Sequence, residues 1–435
     1  MHVSARVAQT LKADGVDTVF GVMGDGNLHH LVAFIEQGGR FVTTLSESGA
    51  VSMADGMART TRRIGVASVT HGPGMTNALT ALTEAVRARS PLLLLTGDTA
   101  STTDRLQRFD LRGAVALTGA EYVRVVGPDT VARQLSAAMS RVATSSTPAV
   151  VDVPVAIALG MGAPAAPVRG ATVPLFEPSE EDLDEALGII ATARRPVLLA
   201  GRGAAESEAQ AEILRVADAI GAPVATTLLA RGLFSGEPYD LGICGTLGHP
   251  DALDVLVESD CVIAFGASLN RFTTLDGSIV SGRPVVQNDR DTAAVGRYAP
   301  VTAALIGDAR LTAQAMGDLL ETAEPTRSGW RERRLESIDL SGPAVDMHSS
   351  AGDHALDLAD AMLLLDQLLP RDRLVVSDTG RFIYTAWRHL GVKAPGDFVH
   401  TLNFASIGLG VATGVGVSLA HPDRLTVVVA GDGEA

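Results

Sequence analysis

The sequence has little that would link the protein to an oxidising compartment or a membrane. Only two of its 435 residues are cysteines, and the spacing of Cys244 and Cys261 matches neither a CxxC motif nor a metal-ligand pattern. Disulfides are therefore not expected, and both thiols are predicted to lie in the core of a cytoplasmic protein. No apolar run approaches the roughly 20 residues that span a bilayer. The N-terminus opens an amphipathic pattern rather than a signal peptide.

Positive charge is also scarce. The chain has 35 Lys and Arg residues against 50 Asp and Glu residues, a formal net charge of -15. Such a field repels nucleic-acid backbones and anionic membranes, so neither is expected as a partner. It does not exclude a small anionic substrate, since local arginines or helix N-termini can hold one. The length and the 46% hydrophobic content support about three globular domains of roughly 100 to 200 residues each.

Residues 1–160 alternate helical periodicity with short apolar runs. Helices are predicted to begin near Val3, Asn27, Glu47, Met75 and Thr130. The predicted strands are Thr18 to Val22, Phe41 to Leu45, Gly65 to Val69, Leu92 to Thr96 and Ala149 to Val153. Continuous apolar strands separated by helices indicate a parallel sheet covered on both faces. The first domain is therefore predicted to be doubly wound.

Two more α/β domains are predicted, at residues 178–320 and 355–435. Residues 160–167 are rich in Gly, Ala and Pro and indicate a linker, and the charged segment 321–354 indicates a second linker with a short helix at 330–337. Predicted strands follow at residues 196–200, 261–265 and 284–287, and at 374–377 and 425–429 with a Gly-rich helix between them. The fold class is thus α/β with three doubly wound parallel-sheet domains. The third, with only about eighty residues, is expected to be truncated.

The last apolar run leads into a Gly-Asp-Gly turn at 431–433. This pattern predicts a buried strand that delivers the carboxylate of Asp432 to a ligand crevice at the carboxyl edge of a sheet. A lone Asp-Gly pair is a weak signal, because it also marks hairpins.

Four stretches, taken together and in this order, resemble the thiamine diphosphate-dependent enzymes of the acetolactate synthase and pyruvate decarboxylase superfamily. They are residues 21–28, residues 46–59, residues 70–77, and a C-terminal set at 378–380, 405–410 and 431–434. The resemblance spans the whole chain. It implies a pyrimidine-binding domain at 1–160, a central domain at 178–320 and the first half of a diphosphate-binding domain at 355–435.

The stretch 46–59 resembles the family's catalytic glutamate and the helix behind it, and by this resemblance Glu47 is the catalytic carboxylate. Such an acid stabilises the protonated pyrimidine ring, so that the exocyclic imine can remove the thiazolium proton and create the ylid. Residues 70–77 resemble the SGPGATN loop, in which Asn77 is expected to contact the cofactor and the helix start offers free N–H groups. His71 replaces a small residue there. It either places an acid or base beside the substrate or is a hydrogen-bonded loop residue.

The stretch 21–28 separates two activities within the family. Asp25 resembles the proton-handling aspartate of a GDFN segment in pyruvate decarboxylases, although Asp25-Gly26 is also a good turn dipeptide. Those decarboxylases also use a His-His pair after the fourth strand, and residues 106–110 have none. His29-His30 lies elsewhere and is predicted to be on a helix surface. Gln107 instead resembles the active-site glutamine of the synthases.

The C-terminal set implies the remaining cofactor contacts. By resemblance, Ile407 wedges beneath the cofactor and forces its rings into the bent form, and Asp432 binds the Mg²⁺ that bridges the two phosphates. The second metal ligand is expected about two dozen residues beyond the turn, outside this sequence. The 435-residue chain is therefore expected to be inactive by itself. The implied cofactor-binding residues are Thr379, Gly380, Ala405, Ser406, Ile407, Gly431, Asp432, Gly433 and Glu434.

The central domain carries glycine-rich turns, at 194–203 and 265–270, that resemble stretches holding FAD in acetolactate synthases. Many relatives keep this fold without the flavin, and such turns can be purely structural. The balance is against FAD, which stays open as an additional cofactor.

The resemblance implies an enzyme that uses thiamine diphosphate and Mg²⁺ to decarboxylate a 2-oxo acid and pass the resulting carbanion to an acceptor. A second 2-oxo acid as acceptor gives acetolactate synthase-like carboligation, which Gln107 favours. A proton as acceptor gives a simple 2-oxo acid decarboxylase, which Asp25 favours. A non-catalytic truncated homologue is a further alternative. Active sites in this family lie between subunits, which implies a homodimer or homotetramer.

Overall fold

The computed structural model describes residues 1–98, 106–163, 174–323, 327–336, 338–340 and 357–433. The chain divides into two compact units. The first contains residues 1–173, 373–383 and 399–435, and the second contains residues 174–372 and 384–398. Part of the first predicted linker, from residue 164, lies outside the described residues, as does most of the second linker. The predicted domain boundaries stay a prediction.

In the first unit, residues 1–163 form a six-stranded sheet in the order β2-β1-β3-β4-β6-β5, and every pairing is parallel. The strands are β1 (Thr18–Gly21), β2 (Arg40–Thr43), β3 (Gly65–Ser68), β4 (Leu92–Thr96), β5 (Glu121–Arg124) and β6 (Ala149–Asp152). The helices are α1 (Val3–Ala13), α2 (Leu28–Glu36), α3 (Glu47–Thr61), α4 (Pro73–Arg87), α5 (Leu111–Thr118), α6 (Val131–Ser145) and α7 (Val155–Ala158). Separate apolar clusters pack on the two faces of this sheet, so it is doubly wound.

The second unit contains another six-stranded parallel sheet, in the order β12-β11-β10-β7-β8-β9. Its strands are β7 (Pro196–Ala200), β8 (Val224–Thr226), β9 (Asp240–Ile243), β10 (Cys261–Phe265), β11 (Val285–Asp289) and β12 (Ala303–Ile306). Its helices are α8 (Glu180–Thr192), α9 (Arg202–Glu206), α10 (Gln210–Ile220), α11 (Pro250–Glu258), α12 (Ala309–Ala323) and α13 (Trp330–Leu335). Cys244 and Cys261 are free and buried, and burial raises the pKa of each thiol to about 12.

The C-terminal residues add α14 (Leu358–Leu368), β13 (Leu374–Ser377), α15 (Ile383–His389), β14 (Phe398–His400), α16 (Gly410–Ala420) and β15 (Thr426–Val429). The three strands form a sheet in the order β14-β13-β15, with β13 and β15 parallel. The predicted fold class, α/β with three sheets, is confirmed. The last strand was expected to be buried, and this expectation is wrong, because β15 is an edge strand of the described sheet and only partly covered.

Helices α3 and α16 of the first unit are in backbone-to-backbone contact. A Cβ added at Gly416 would lie 2.0 Å from the carbonyl oxygen of Met53, and one added at Gly56 would lie 2.4 Å from that of Thr413. Real Cβ atoms do not come so close to backbone atoms, so each position requires glycine. Among the described residues, no helix is long and apolar enough to cross a membrane.

Replacing Gly416 with alanine is expected to lower the free energy of unfolding by about 1–3 kcal/mol, because the new methyl group forces α3 and α16 apart. Urea unfolding followed by circular dichroism measures the effect. Gly188 is the matched control, since it lies within α8 and a Cβ there meets nothing within 4 Å. Gly188→Ala is expected to be neutral or stabilising, and an equal loss in both variants would contradict the packing argument.

Candidate active site

Three loops meet at the carboxyl edge of the first sheet, where β1, β3 and β4 end. The strand order reverses between β1 and β3, and such a switch point is where doubly wound sheets bind ligands. The Gly26 N–H donates to Thr70 Oγ1 at 3.0 Å, and a Cβ added at Gly97 would lie 2.4 Å from the Gly26 carbonyl oxygen. The loops are therefore packed closely at this edge.

His71 lies inside this loop cluster and is only 2% exposed. Its Nε2 is 2.7 Å from Oε1 of Gln107. Because an amide oxygen only accepts, Nε2 donates in this contact. A Cβ added at Gly26 would lie 2.5 Å from Nδ1, which has no hydrogen-bond partner within the described ranges. The structure thus brings His71 and Gln107 together and fixes the orientation of the Gln107 amide.

Glu47 begins α3, directly after the N-cap residue Ser46, whose side chain accepts from the Gly49 N–H at 3.1 Å. The Glu47 carboxylate is half-buried and accepts from Nδ2 of Asn77, on α4, at 3.1 Å. Two residues from different predicted motifs therefore meet. The amide of Asn77 holds the carboxylate in one orientation at the start of both helices.

Asp25 is exposed on the loop that precedes α2. The histidine pair was predicted to lie on a helix surface, and His29 is exposed as predicted. The prediction is wrong for His30, which is buried, with its Nε2 3.2 Å from Ser68 Oγ. His30 shares the inner face of α2 with Phe34, one helical turn away. Burial disfavours the charged ring and lowers the pKa of His30 to about 4.

Asp378 organises the C-terminal part of the site, directly after β13. The side chain is fully buried, and both of its oxygens accept two hydrogen bonds. Oδ1 accepts from the Thr379 N–H at 2.7 Å and Thr401 Oγ1 at 2.8 Å. Oδ2 accepts from the N–H groups of Gly408 at 3.0 Å and Gly410 at 2.8 Å. One carboxylate thereby ties β13 to the turn before α16.

That turn, residues 405–408, has unusual backbone geometry. Ala405 has φ of 61° and Gly408 has φ of 91°, and a left-handed conformation at a non-glycine residue costs energy that the surroundings must supply. Between them, Ser406 is half-buried and Ile407 is 61% exposed. The turn thus exposes the apolar side chain of Ile407. An exposed apolar side chain can pack against the flat ring that the resemblance places here.

The remaining C-terminal candidates are placed as follows. Thr379 and Gly380 follow Asp378 and are half-buried, and Thr379 Oγ1 donates to the Thr401 carbonyl oxygen at 3.2 Å. Asp432 and Gly433 are exposed in a turn after β15, with Gly431 half-buried before them. Glu434 lies outside the described residues. An exposed carboxylate is a suitable Mg²⁺ ligand, since this ion is often held by one or two carboxylates together with phosphate oxygens.

The glycine-rich turns of the second unit pack against each other. The Gly201 N–H donates to the Phe265 carbonyl oxygen at 2.8 Å, and the Gly203 N–H donates to that of Gly266 at 3.1 Å. A Cβ added at Gly201 would lie 2.2 Å from the Gly266 carbonyl oxygen. These N–H groups donate within the fold, and the missing side chains allow the two turns to pack closely.

A further carboxylate, Glu84 on α4, belongs to this region and was missed by sequence reasoning. It is 1% exposed and accepts from Asn403 Nδ2 at 2.7 Å and from the Phe404 N–H at 2.5 Å. Burial raises the pKa of Glu84, and the hydrogen bond from Asn403 and the charge of Arg59 oppose that rise. The available signal was its position three residues after Ala81, on the apolar face of α4.

Comparisons with known proteins show which family the chain belongs to. Three family models match the chain: "Thiamine pyrophosphate enzyme, N-terminal TPP binding domain" at residues 1–114, the central domain at 183–316, and the "C-terminal TPP binding domain" at 378–435. The acetolactate synthase large subunit IlvG of Mycobacterium tuberculosis is 32% identical over 462 residues, covering 100% of this chain and 79% of the relative.

Two other relatives are named for two different activities, one as an acetolactate synthase and the other as an acetyltransferase. The acetolactate synthase isozyme 2 large subunit of Escherichia coli is 29% identical to this chain, and the match covers 100% of this chain and 78% of the relative. A sulfoacetaldehyde acetyltransferase of Alcaligenes xylosoxydans xylosoxydans is 27% identical to this chain, and the match covers 100% of this chain and 77% of the relative. The fold and the site therefore define a thiamine diphosphate-dependent enzyme. The chain belongs to the superfamily that includes the acetolactate synthases.

Replacing Asp378 with asparagine is expected to destabilise the protein by about 1–3 kcal/mol, because the new NH₂ group faces N–H donors and leaves them unsatisfied. Thermal unfolding of the cofactor-free protein checks this. The control is Asp423→Asn, at an exposed position in the same unit, which is expected to change stability by less than about 0.5 kcal/mol. Equal stability of the two variants would show that the four contacts of Asp378 contribute little.

Proposed function

We propose that the protein is a thiamine diphosphate- and Mg²⁺-dependent carboligase that decarboxylates a 2-oxo acid and transfers the remaining fragment to a second 2-oxo acid. The observation that carries this proposal is the contact between Gln107 and His71. Gln107 resembles the synthase glutamine, and the contact fixes its amide at the loop cluster. Asp25, on which the decarboxylase alternative depends, is exposed on its loop. The acetolactate synthases among the relatives support the same choice.

Each residue of the site has a proposed task. When bound, thiamine diphosphate supplies the electron sink that allows a 2-oxo acid to lose CO₂. Glu47 holds a proton at the pyrimidine ring nitrogen, and Asn77 keeps the carboxylate aimed at that nitrogen. The backbone of Ala405 and the side chain of Ile407 hold the ring. Asp432 is the proposed Mg²⁺ ligand.

His71 is proposed to orient Gln107 rather than to touch the substrate. Its Nε2 is committed to the amide oxygen and its Nδ1 lies against the Gly26 backbone. Gln107 is half-buried at the edge of the cluster, and its amide NH₂ remains available to donate to a carboxylate or carbonyl oxygen. This arrangement gives the substrate a donor in a fixed position.

We propose that the second unit works without FAD and that the protein is cytoplasmic. The absence of FAD is supported by the packing of Gly201 and Gly203 against the 265–266 turn. The free thiols of Cys244 and Cys261 support the second. An absorbance spectrum of the purified protein with a band near that of an oxidised flavin would contradict the first proposal.

We also propose a homodimer or homotetramer with active sites between subunits. Ile407, Val411 and Val415 are 61%, 42% and 40% exposed. The four-residue spacing of Val411 and Val415 places these two on one face of α16, and Ile407 lies in the turn just before that helix. Exposed apolar faces of this kind mark association surfaces. Light scattering of the cofactor-loaded protein is expected to give at least twice the mass of one chain, and a monomer that is fully active would contradict the proposal.

The full-length protein, supplied with pyruvate, thiamine diphosphate and Mg²⁺, is expected to release CO₂ and form acetolactate rather than acetaldehyde. Calorimetric titration is expected to show cofactor binding that requires Mg²⁺. Glu47→Gln is expected to lower CO₂ release by at least about 100-fold, because the neutral amide cannot stabilise the protonated ring.

The control for this experiment is Glu36→Gln, which removes the same charge at an exposed position on α2 and is expected to keep the wild-type rate. Acetaldehyde as the sole product would favour the decarboxylase alternative. Absence of cofactor binding by the wild-type protein would favour a non-catalytic role.

A further inference from the structure

The 405–408 turn is held from both ends by buried carboxylates. At its C-terminal end, Asp378 accepts from the N–H groups of Gly408 and Gly410. At its N-terminal end, Glu84 accepts from the Phe404 N–H, which directly precedes the left-handed residue Ala405. Asp378 comes from the same C-terminal segment as the turn. Glu84 lies on α4, which also carries Asn77, the partner of the catalytic candidate Glu47.

The contact of Glu84 with the loop is extensive. Its Oε1 accepts from both the backbone N–H of Asn403, at 3.2 Å, and Nδ2 of the same residue, at 2.7 Å. Its Oε2 accepts from Phe404 at 2.5 Å. Three donors thus converge on one carboxylate that is 1% exposed. An ionised carboxylate buried with three donors makes stronger hydrogen bonds than neutral groups would.

Neighbouring contacts secure the segment just before this point. Arg59 Nη1 donates to the His400 carbonyl oxygen at 2.8 Å, and the Arg87 guanidinium carbon lies 4.6 Å from the centroid of the Phe404 ring. These contacts hold residues 400 and 404 against α3 and α4. Of these hydrogen bonds to α3 and α4, the one that Glu84 accepts from the Phe404 N–H lies nearest to Ala405 along the chain.

A residue keeps a strained backbone conformation only where contacts with its surroundings compensate for the strain energy. Ala405 has a left-handed conformation without being glycine. Its own N–H donates to the Leu402 carbonyl oxygen at 3.1 Å, and the Asn403–Phe404 peptide, one peptide earlier, is oriented by Glu84. If this orientation relaxed, Ala405 could return to an ordinary conformation, and the backbone groups of residues 405–407 would turn away from the ring they are proposed to bind. The carboxylate on α4 therefore controls the shape of a turn that lies more than 300 residues further along the chain.

We propose that Glu84 is a positioning residue that presets the 405–407 turn for thiamine diphosphate and couples this turn to the helix that carries Asn77. The proposal rests on the proposed function, because the role of the turn in holding the cofactor ring belongs to it. Glu84 does not contact the reacting atoms. Its effect is on the affinity and the alignment of the cofactor.

The test compares Glu84→Gln with the wild-type full-length protein by two measurements. Hydrogen exchange of the cofactor-free protein is expected to accelerate in peptides covering residues 402–409 and to stay unchanged in those covering β3 and β4. Calorimetry is expected to show thiamine diphosphate binding weakened by about tenfold or more in the presence of Mg²⁺, because the amide keeps one acceptor oxygen and turns a donor toward the loop. Glu36→Gln, exposed on α2, is the charge-matched control and is expected to change neither measurement.

Two further variants separate positioning from loss of folding. Asn403→Ala removes a contact from the loop side and leaves the core of α4 intact, so it is expected to weaken cofactor binding in the same direction. In the double variant Glu84→Gln with Asn403→Asp, the new amide can donate to the new carboxylate. This reversed pair is expected to restore a measurable part of the affinity, which a general loss of packing would not allow.

The outcomes distinguish this inference from the proposed function. If the wild-type protein binds no thiamine diphosphate, the proposed function fails and the positioning role fails with it. If the wild-type protein binds it, and Glu84→Gln and Asn403→Ala bind it equally well with unchanged exchange at 402–409, the inference about Glu84 is overturned while the proposed function stands.

Discussion

The first unit depends on the close approach of α3 and α16, which no side chain separates. The Met53 carbonyl oxygen faces Gly416 and the Thr413 carbonyl oxygen faces Gly56, so two backbones carry the contact. Near the start of both helices, a Cβ added at Gly49 would lie 3.9 Å from Ala412 Cβ. The loops that precede the two helices, one ending at Glu47 and the other containing the strained turn, are thereby brought into one region.

The sequence predicted the central strands better than the edge strands, for a physical reason. The bounds of β4, β7, β10 and β13 were predicted correctly because every residue of these strands is buried and apolarity is nearly continuous. Strands β5, β8, β9, β12 and β14 were missed. Four of them, β5, β9, β12 and β14, lie at the edges of their sheets, and β8 is only three residues long. The predicted strand at 41–45 included Leu45, which is fully exposed beyond the end of β2. Edge strands are specified by their neighbours more than by their own pattern.

The candidate site shows the same division between local and distant information. Glu47, His71 and Asp432 could be predicted as candidates because each stands within a short motif at the end of a strand or the start of a helix. The contact between His71 and Gln107 and the four bonds of Asp378 could not, since their partners come from other motifs. Glu84 was the least visible, because Asn403 is 319 residues away in sequence. A single buried carboxylate on an apolar helix face shows that a partner is needed without showing which one.

The separation of α3 from α16 has a consequence during synthesis. Helix α3 ends at Thr61 and α16 begins at Gly410, so a ribosome adding ~5–20 residues per second needs roughly 20–70 s to deliver the partner helix. Throughout that interval the nascent chain displays the face of α3 that α16 will cover, together with the glycines that make it flat. We expect chaperones that bind apolar helices to act on the emerging polypeptide during this window. The yield of native protein should then depend on translation speed as well as on the stability of the finished fold.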